Sequence, residues 1–422
     1  MKKALVIGSG GREHALSWKL KKSPSVGHVW CAPGSDGIGR DAERVAANLG
    51  NVTELADLAA KLKPDLTIVG PEVPLVAGVA DEFGSRGLRV IGPSRAAAQL
   101  EGSKIFAKQF LERHGIPTAP TYGIYGSVGE AYAAMCAVDW PVVIKADGPC
   151  AGKGVLVTSS PDEATAFIER LMDKQEFGEA GSRILLEEAL EGKELSFIVL
   201  TDGEHILPLA PARDHKRAFD GDEGPNTGGM GAFSVKGMIP QELEETILQK
   251  VVRPTLEGMA REGTPYVGFL YCGLMLTAEG PKVLEFNCRM GDPECQAIVA
   301  RMDFDFGEAL DAAAETRLDR VKARWRPDAS VCVVLASGGY PGKYETGKPI
   351  EGLEDAEALD DVTIFHAGTR EAEGRFVTAG GRVLGVTATG NDLVSAAARA
   401  YEAAGRIRFE GIHYRKDIGT VK

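Results

Sequence analysis

No apolar run in this 422-residue chain approaches the ~20 residues that a membrane-spanning helix needs, so no transmembrane segment is predicted. Cysteine is scarce and unpatterned: the seven residues at 31, 136, 150, 272, 288, 295 and 332 form no C-x-x-C pair. An odd number leaves one unpaired in any disulfide scheme, which suits a reducing, cytoplasmic location. Positive charge is also short. A formal charge of −12 argues against general nucleic-acid or anionic-membrane binding, so an anionic substrate must be met by a local cluster of lysine and arginine. Internal repeats, low-complexity tracts and long structureless linkers are missing. What remains, 44% hydrophobic and 26% charged, is the composition of a soluble globular protein, and the length predicts about three domains at ~150 residues each. The opening Met1 to Gly8 mimics a signal peptide briefly, but its apolar run stops at Ser9-Gly10-Gly11-Arg12-Glu13 and reads as a first strand.

The first hundred residues alternate strand-like and helix-like patterns, which predicts parallel βαβ units. Leu5 to Ile7, His28 to Ala32 and Leu66 to Val69 are the strands, each running into a turn at its carboxyl end, where open α/β sheets bind ligands. The first turn, Gly8-Ser9-Gly10-Gly11-Arg12-Glu13-His14, is not a dinucleotide fingerprint, because Glu13 replaces the third glycine of G-x-G-x-x-G. It is either a plain tight turn or a sugar-phosphate site, with Arg12 and backbone N–H groups toward phosphate and Glu13 toward hydroxyls.

A boundary falls near Leu100 to Ser103, where Ser103 caps a helix running to Gly115. Pro141 to Gly148 and Val155 to Val157 predict a hairpin with a flexible tip, Pro149-Cys150-Ala151-Gly152-Lys153-Gly154. Its small residues let backbone N–H groups approach phosphates, and Lys145 and Lys153 add charge. It is not a Walker A loop, since Gly154 stands where Ser or Thr would bind Mg²⁺. Ser160-Pro161-Asp162-Glu163 opens a helix to about Asp173. The strands Arg183 to Leu190 and Leu195 to Leu200 are expected to pair antiparallel around Gly192, with Glu194 either solvated or accepting from ribose hydroxyls. A long polar loop, 213 to 231, is suited to closing over a small polar substrate. His215 in it has neither a nucleophile partner nor a second histidine at metal spacing, and reads as a hydrogen-bonding group.

Val283 to Arg289 delivers Glu285, Asn287 and Arg289 on alternate residues, hence on one face of a strand. An acidic and an amide oxygen suit Mg²⁺ shared with nucleotide phosphates, and the arginine can cover phosphate oxygens; the alternative is a half-buried strand with a solvated polar face. From about Ser330, strands at 331–336, 363–366 and 382–387 and a helix at 392–404 predict a small α/β domain that lacks a catalytic constellation of its own but packs against the site and completes it.

The ordered set GSGGREH, TIVGPEVPLV, LEGSK, VIKADG with AGKGV, DHKR, GPNTGGMGA, GFLYCGLM, EFNCRMGDPE, SGGYPG and FHAGT resembles the glycinamide ribonucleotide synthetases of the ATP-grasp superfamily over nearly the whole chain. The resemblance implies an α/β fold: an N-terminal parallel α/β domain (1–101), an ATP-grasp domain (102–325) with a small lid subdomain at about 120–190, and a small C-terminal α/β domain (326–422). It implies ATP-dependent ligation of glycine to 5-phosphoribosylamine through glycyl phosphate, with Mg²⁺ or Mn²⁺. Only small-molecule partners are expected, with no nucleic acid or membrane, in a monomer or small homo-oligomer acting as a stand-alone ligase. By resemblance, Lys104, Lys145 and Lys153 hold the nucleotide phosphates, and Glu187, Glu188, Ala189 and Leu190 form the adenine hinge. Glu194 meets the ribose, Glu285 and Asn287 the metal, and Arg289 the transferred phosphoryl group. Asp214 and Asn226 are the glycine candidates, with Arg289, Lys153 and Asp214 the catalytic set. Gly10, Gly11, Arg12, Glu13, Pro71 and Glu72 line the phosphoribosylamine pocket, closed by Gly291, Asp292 and Pro293.

Two departures stand out. Tyr271 to Met275 carries no carboxylate for a second metal, and Pro149-Cys150 precedes AGKGV where small or apolar residues are expected. A nicotinamide-dependent oxidoreductase would leave Glu285 to Arg289 unexplained, a non-catalytic nucleotide-binding regulator would tolerate their loss, and another ATP-grasp ligase would differ by substrate alone.

Overall fold

The computed structural model describes residues 1–148, 150 and 153–420. Pro149, Ala151 and Gly152 of the expected phosphate-approaching tip lie outside the described residues. The N-terminal strands β1 (Lys2–Gly8), β2 (Val26–Pro33), β3 (Glu43–Arg44) and β4 (Leu66–Val69) form a parallel sheet in the order β3-β2-β1-β4. Ala4 to Ile7 are all buried because the sheet is covered on both faces. Ala4 and Val6 share a core with Leu16 and Leu20 of the helix Gly11–Lys21, whereas Leu5 and Ile7 share one with Leu55 and Ala59 of the helix Val52–Leu62.

Four antiparallel strands, β5 (Thr121–Tyr125), β6 (Val142–Ala146), β7 (Val155–Thr158) and β8 (Ile184–Glu188), form the lid in the order β5-β8-β6-β7. It has its own small core of Met135, Ile144, Phe167, Ile168 and Leu186. Ser160 caps the helix Pro161–Ile168 by accepting from the Glu163 N–H, and a π-helical turn carries it to Asp173. The reciprocal half of the capping box is relayed: Thr158 Oγ1 donates to Glu163 at 2.6 Å and accepts from the Ser160 N–H at 2.9 Å.

Next come β9 (Lys193–Thr201) and β10 (Ile206–Pro208), the short strands β11 (Arg213–Asp214), β12 (Arg217–Phe219), β13 (Glu223–Asn226) and β14 (Gly231–Ser234), and the long hairpin β15 (Gly268–Thr277) and β16 (Gly280–Asn287). The second large sheet runs β10-β9-β15-β16. The expected pairing of β8 with β9 does not occur. Each is already flanked on both edges, β8 by β5 and β6 and β9 by β10 and β15, so residues 189–192 cross between two sheets instead of closing a hairpin. The loop expected at 213–231 likewise contains three short strands and runs into a fourth at Gly231.

The last sheet takes β17 (Ala329–Ala336), β18 (Val362–His366) and, after the hairpin β19 (Thr369–Ala372) and β20 (Arg375–Thr378), β21 (Arg382–Gly390). Its order is β11-β14-β17-β21-β18, so the 213–234 stretch ties the central region into the C-terminal sheet. Asp392 caps the helix Leu393–Arg406, which packs its alanine face on that sheet. Among the described residues no helix is long and apolar enough to cross a membrane, and all seven cysteines are free.

Two histidines from distant motifs join the first and last sheets. The His366 N–H donates to His14 Nδ1 at 2.7 Å, which leaves His14 Nε2 to donate to Asp41 at 3.2 Å. Burial, then His14 and Arg40, hold His366 neutral with a pKa of about 3. The unfolded chain takes up its proton near pH 6.5, so this site's contribution is intact above that pH and is lost as pH falls toward 3, at roughly 1.4 kcal/mol per unit. In urea unfolding, His366→Gln is expected to lose less stability than the wild type between pH 7 and pH 5; equal losses would remove the assignment.

Candidate active site

A cleft of about 970 Å³ separates the lid from the second large sheet, and all regions of the chain contribute to its wall. Its far side is set by an irregularity in β16. Gly273 faces Glu285 but Leu274 faces Val283, so Leu284 is an extra, bulged residue. Strict alternation would put Val283 and Glu285 on one face; the bulge sends Val283 into the core and Glu285 and Asn287 into the cleft. It also presents the Leu284 carbonyl to Lys145 Nζ of the lid at 3.0 Å.

Glu285 is a third exposed, yet cations surround it. Burial alone would raise its pKa, but Lys216, Lys104, Lys145 and Arg289 hold it at about 2. Lys216 Nζ lies 3.4 Å from Glu285 and 3.6 Å from Glu194; against the pull of burial, these two carboxylates raise its pKa and keep it charged. Arg289, just past the end of β16, donates to Glu101 at 2.8 Å and to Asn287 Oδ1 at 3.4 Å, and lies 3.4 Å from Glu72. Glu101 is itself fixed by the Cys288 N–H at 2.7 Å.

Ahead of the lid strands, Lys104 opens the helix Lys104–Arg113, capped by Ser103, and faces the cleft. Lys153 at the tip is exposed, its N–H bonded to the Cys150 carbonyl at 2.9 Å. Cys150 has its thiol pKa raised by burial, which fits an inert residue. Ala189 and Leu190 line the cleft edge, with the Glu188 N–H bonded to the Pro120 carbonyl. Glu187 differs from its neighbours. Its side chain is 1% exposed and ion-pairs with both Lys108 and Lys145, so its carboxylate serves as a brace beneath the site.

At the N-terminal wall, Arg12, Pro71 and Glu72 line the cleft. Glu13, expected to face hydroxyls, is turned inward. It accepts from the Gly10 N–H at 2.5 Å and from Arg12 Nε at 2.6 Å, closing the helix N-terminus as a capping carboxylate. A Cβ at Gly70 would lie 1.9 Å from its Oε1, so the turn after β4 must be glycine to admit it. Gly10 and Gly11 thus form the backbone of a turn whose acid is already spent.

Opposite stands a constellation that the motifs only partly announced. Asp214 at the end of β11 accepts from the His215 N–H at 2.7 Å, and burial together with nearby Glu294 holds its carboxyl well above the usual range. Glu294 accepts from Tyr271 Oη at 2.8 Å and Ser196 Oγ at 2.9 Å. Gly229, at φ +111°, lets the GPNTGGMGA turn close on these groups; a Cβ there would sit 2.5 Å from Pro293 and 2.9 Å from Asp214 Oδ1. Asn226 and Gly291 line the same end. The C-terminal sheet, expected to complete the site without a catalytic constellation of its own, sends Arg382 into the cleft, where it donates to the Asp292 carbonyl at 2.6 Å, Asp292 Oδ2 at 3.1 Å and the Gly228 carbonyl at 2.5 Å. No sequence motif marked Arg382; Lys216 in DHKR, Tyr271 in GFLYCGLM, Glu101 in LEGSK and Glu294 in EFNCRMGDPE sat inside motifs without an assigned role.

A small lid facing a larger antiparallel sheet, with cations converging from both and paired oxygen donors on the far strand, is the ATP-grasp architecture. Residues 102–295 match the model described as the phosphoribosylglycinamide synthetase ATP-grasp (A) domain, residues 2–101 its N domain and residues 330–421 its C domain. The chain belongs to the phosphoribosylglycinamide synthetase family. It is 52% identical over 418 residues to a phosphoribosylamine–glycine ligase of Pseudomonas aeruginosa, covering 98% of this chain and 97% of that one. A ligase of the same name from Escherichia coli O157:H7 is 49% identical over 421 residues, covering 99% and 98%. The crystal structure of phosphoribosylamine–glycine ligase from Thermotoga maritima superposes with a TM-score of 0.83 at 35% identity, covering 98% of this chain and 99% of that one. Biotin carboxylase from Campylobacter jejuni shares the fold alone, with a TM-score of 0.74 at 14% identity, covering 99% and 94%.

Proposed function

We propose that this chain joins glycine to 5-phosphoribosylamine, converting ATP to ADP and phosphate and yielding glycinamide ribonucleotide. The observation that carries the reading is the convergence of Lys104, Lys145, Lys216 and Arg289 on the Glu285–Asn287 face of one deep cleft. A carboxylate is a poor electrophile and must be activated. A glycine carboxylate oxygen attacks the γ-phosphorus of ATP; the bond to the β-phosphate oxygen breaks and ADP leaves. The ribosyl amine then attacks the glycyl phosphate carbonyl, the C–N bond forms, phosphate departs and the nitrogen loses a proton. Positioning and charge neutralisation dominate the first step.

Glu285 is ionised, and Asn287 accepts from Arg289 through Oδ1, so two oxygen donors are turned to one face. This set fits Mg²⁺ or Mn²⁺, with nucleotide phosphates and water completing the shell; when bound, the ion neutralises phosphate charge. In this reading Lys104, Lys145 and Lys153 meet the phosphates, Glu188 to Leu190 the adenine edge and Glu194 the ribose. Arg12, Pro71, Glu72 and the Gly291-Asp292-Pro293 turn receive the phosphoribosylamine.

Asp214 and Asn226 receive glycine. An ammonium group arriving beside Asp214 stabilises the ionised carboxylate that burial and Glu294 disfavour. Asp214→Asn is therefore expected to raise the glycine KM by roughly 10- to 100-fold while the ATP KM stays within about threefold, measured by steady-state ADP release. An unchanged glycine KM would remove Asp214 from the glycine site. The reaction itself is tested by ADP release with Mg-ATP, glycine and phosphoribosylamine generated in place from ribose 5-phosphate and ammonia, omitting each in turn. Turnover that survives without glycine, or without the amine, would overturn the reading.

A further inference from the structure

We infer that Arg415 is a positioning residue: through residues 413–417 it clamps the β12–β13 hairpin so that Lys216 and Asn226, at the hairpin's two ends, are presented to the cleft. The inference rests on the proposed reading of the cleft as a glycine and ATP site.

The Arg415 side chain is 1% exposed. Its Nε and Nη2 donate to the two carboxylate oxygens of Asp417, each at 2.7 Å, a bidentate pair that fixes the guanidinium plane. Its Nη1 donates to Asp222 Oδ1 at 2.7 Å and to the Arg217 carbonyl at 3.1 Å. Neighbouring residues add to the grip. Asp417 also accepts from the Gly221 N–H at 2.9 Å, the Lys416 N–H donates to Asp220 Oδ1 at 2.7 Å, and His413 Nε2 donates to the Ala218 carbonyl at 2.8 Å. One short segment thus holds the hairpin along β12, at Arg217 and Ala218, and across its turn, at Asp220, Gly221 and Asp222.

The hairpin needs such a hold. Its two strands pair only with each other, with a register shift between Arg217 and Phe219, and an isolated two-stranded ribbon is marginally stable in water. About half of Phe219 is exposed, and Asp222 sits at φ +59°, a left-handed conformation that a non-glycine residue keeps only when its surroundings enforce it. The bond from Arg415 to Asp222 is one such enforcement.

The hairpin's base is where the chemistry lies. Lys216 immediately precedes β12 and reaches Glu285 at 3.4 Å, Asn226 ends β13, and the Thr227 N–H donates to the Lys216 carbonyl at 2.8 Å, locking the two ends together. Asp214, by contrast, is held independently by the pairing of β11 with β14. Loosening the clamp therefore displaces Lys216 and Asn226 while Asp214 and the nucleotide lysines of other elements stay in place.

The test uses the full chain carrying Arg415→Ala, Arg415→Lys or Asp222→Asn, with backbone hydrogen exchange and steady-state kinetics read side by side. In Arg415→Ala, amides of 215–227 are expected to exchange at least about tenfold faster with β15 and β16 unchanged, and the glycine KM to rise about tenfold while the ATP Kd stays within about threefold. Arg415→Lys restores only part of this, because one ammonium cannot bridge Asp417 and Asp222 as a fork does. If Arg415→Ala does not fold, Asp222→Asn keeps the Arg415–Asp417 pair and is expected to raise the glycine KM by roughly threefold. Unchanged exchange across 215–227, faster exchange with an unchanged glycine KM, or an equal rise for glycine and ATP would each overturn the inference. Absence of glycine dependence in the wild type would instead overturn the functional reading itself, which the wild-type control separates from a failure of the clamp.

Discussion

Arg289→Ala is expected to lower turnover by roughly two to three orders of magnitude while ATP binding stays within about tenfold of the wild type. The guanidinium stands between two carboxylates, Glu72 and Glu101, that fix its orientation on the cleft side of Asn287. It is held in place before any substrate arrives, and a preorganised cation stabilises charge developing on a transferred phosphoryl group without reorganisation at the moment of reaction. In the proposed reading, Lys104, Lys145 and the lid also hold ground-state ATP, and the substitution leaves them intact. Arg289→Lys keeps the charge but loses the fork that reaches Glu72 through Nε, Glu101 through Nη2 and the Met290 carbonyl through Nη1, and is expected to remain at least about tenfold below the wild type. Calorimetric titration with ATP beside single-turnover ADP formation separates binding from chemistry; wild-type turnover in Arg289→Ala would end the role assigned to it.

Glu187→Ala is the second large effect, and it falls on stability. Lys108 is 3% exposed and Lys145 only slightly more, and Glu187 is the carboxylate that pairs with both. Burial lowers the pKa of Lys108, with Glu187 opposing that pull, while burial raises Glu187 against the stronger downward pull of the two lysines. Truncating the acid strands two cations under the lid at a cost of about 3–5 kcal/mol, read as a lower urea midpoint at an unchanged m-value. Glu187→Gln keeps hydrogen-bond acceptance and is expected to lose less. A wild-type midpoint for Glu187→Ala would show that the triad contributes no net stability. Lys145 also bonds the Leu284 carbonyl next to Glu285, so the same substitution is expected to weaken ATP binding.

Local signals in the sequence were sufficient wherever one residue decides a conformation. Ser103 and Ser160 cap the helices they announce, because a side-chain acceptor near an N-terminus acts within three residues. The strand ends at Gly8, Pro33 and Val69 were legible for a similar reason, since apolar runs stop at glycine and proline. The Glu285-x-Asn287-x-Arg289 spacing was also legible, and those three side chains do share the cleft wall.

Which wall they share was settled elsewhere. The bulge at Leu284 turns Glu285 and Asn287 away from Val283, and a bulge arises from the pairing of β16 with β15, which no period-two pattern contains. The partners of β8 and β9, the inward turn of Glu13 and the bracing role of Glu187 were equally hidden, because each depends on which distant group competes for one edge or one charge. Arg382 enters from 90 residues beyond Asp292 with no motif around it. By itself the sequence determined most of the elements outside 213–234, the caps at Ser103 and Ser160, and which lysines, arginines and acids were candidates for phosphate and metal. Only the tertiary structure decided which acids face substrate and which neutralise buried lysines, since burial and pairing, not residue type, set whether a carboxylate is free to act.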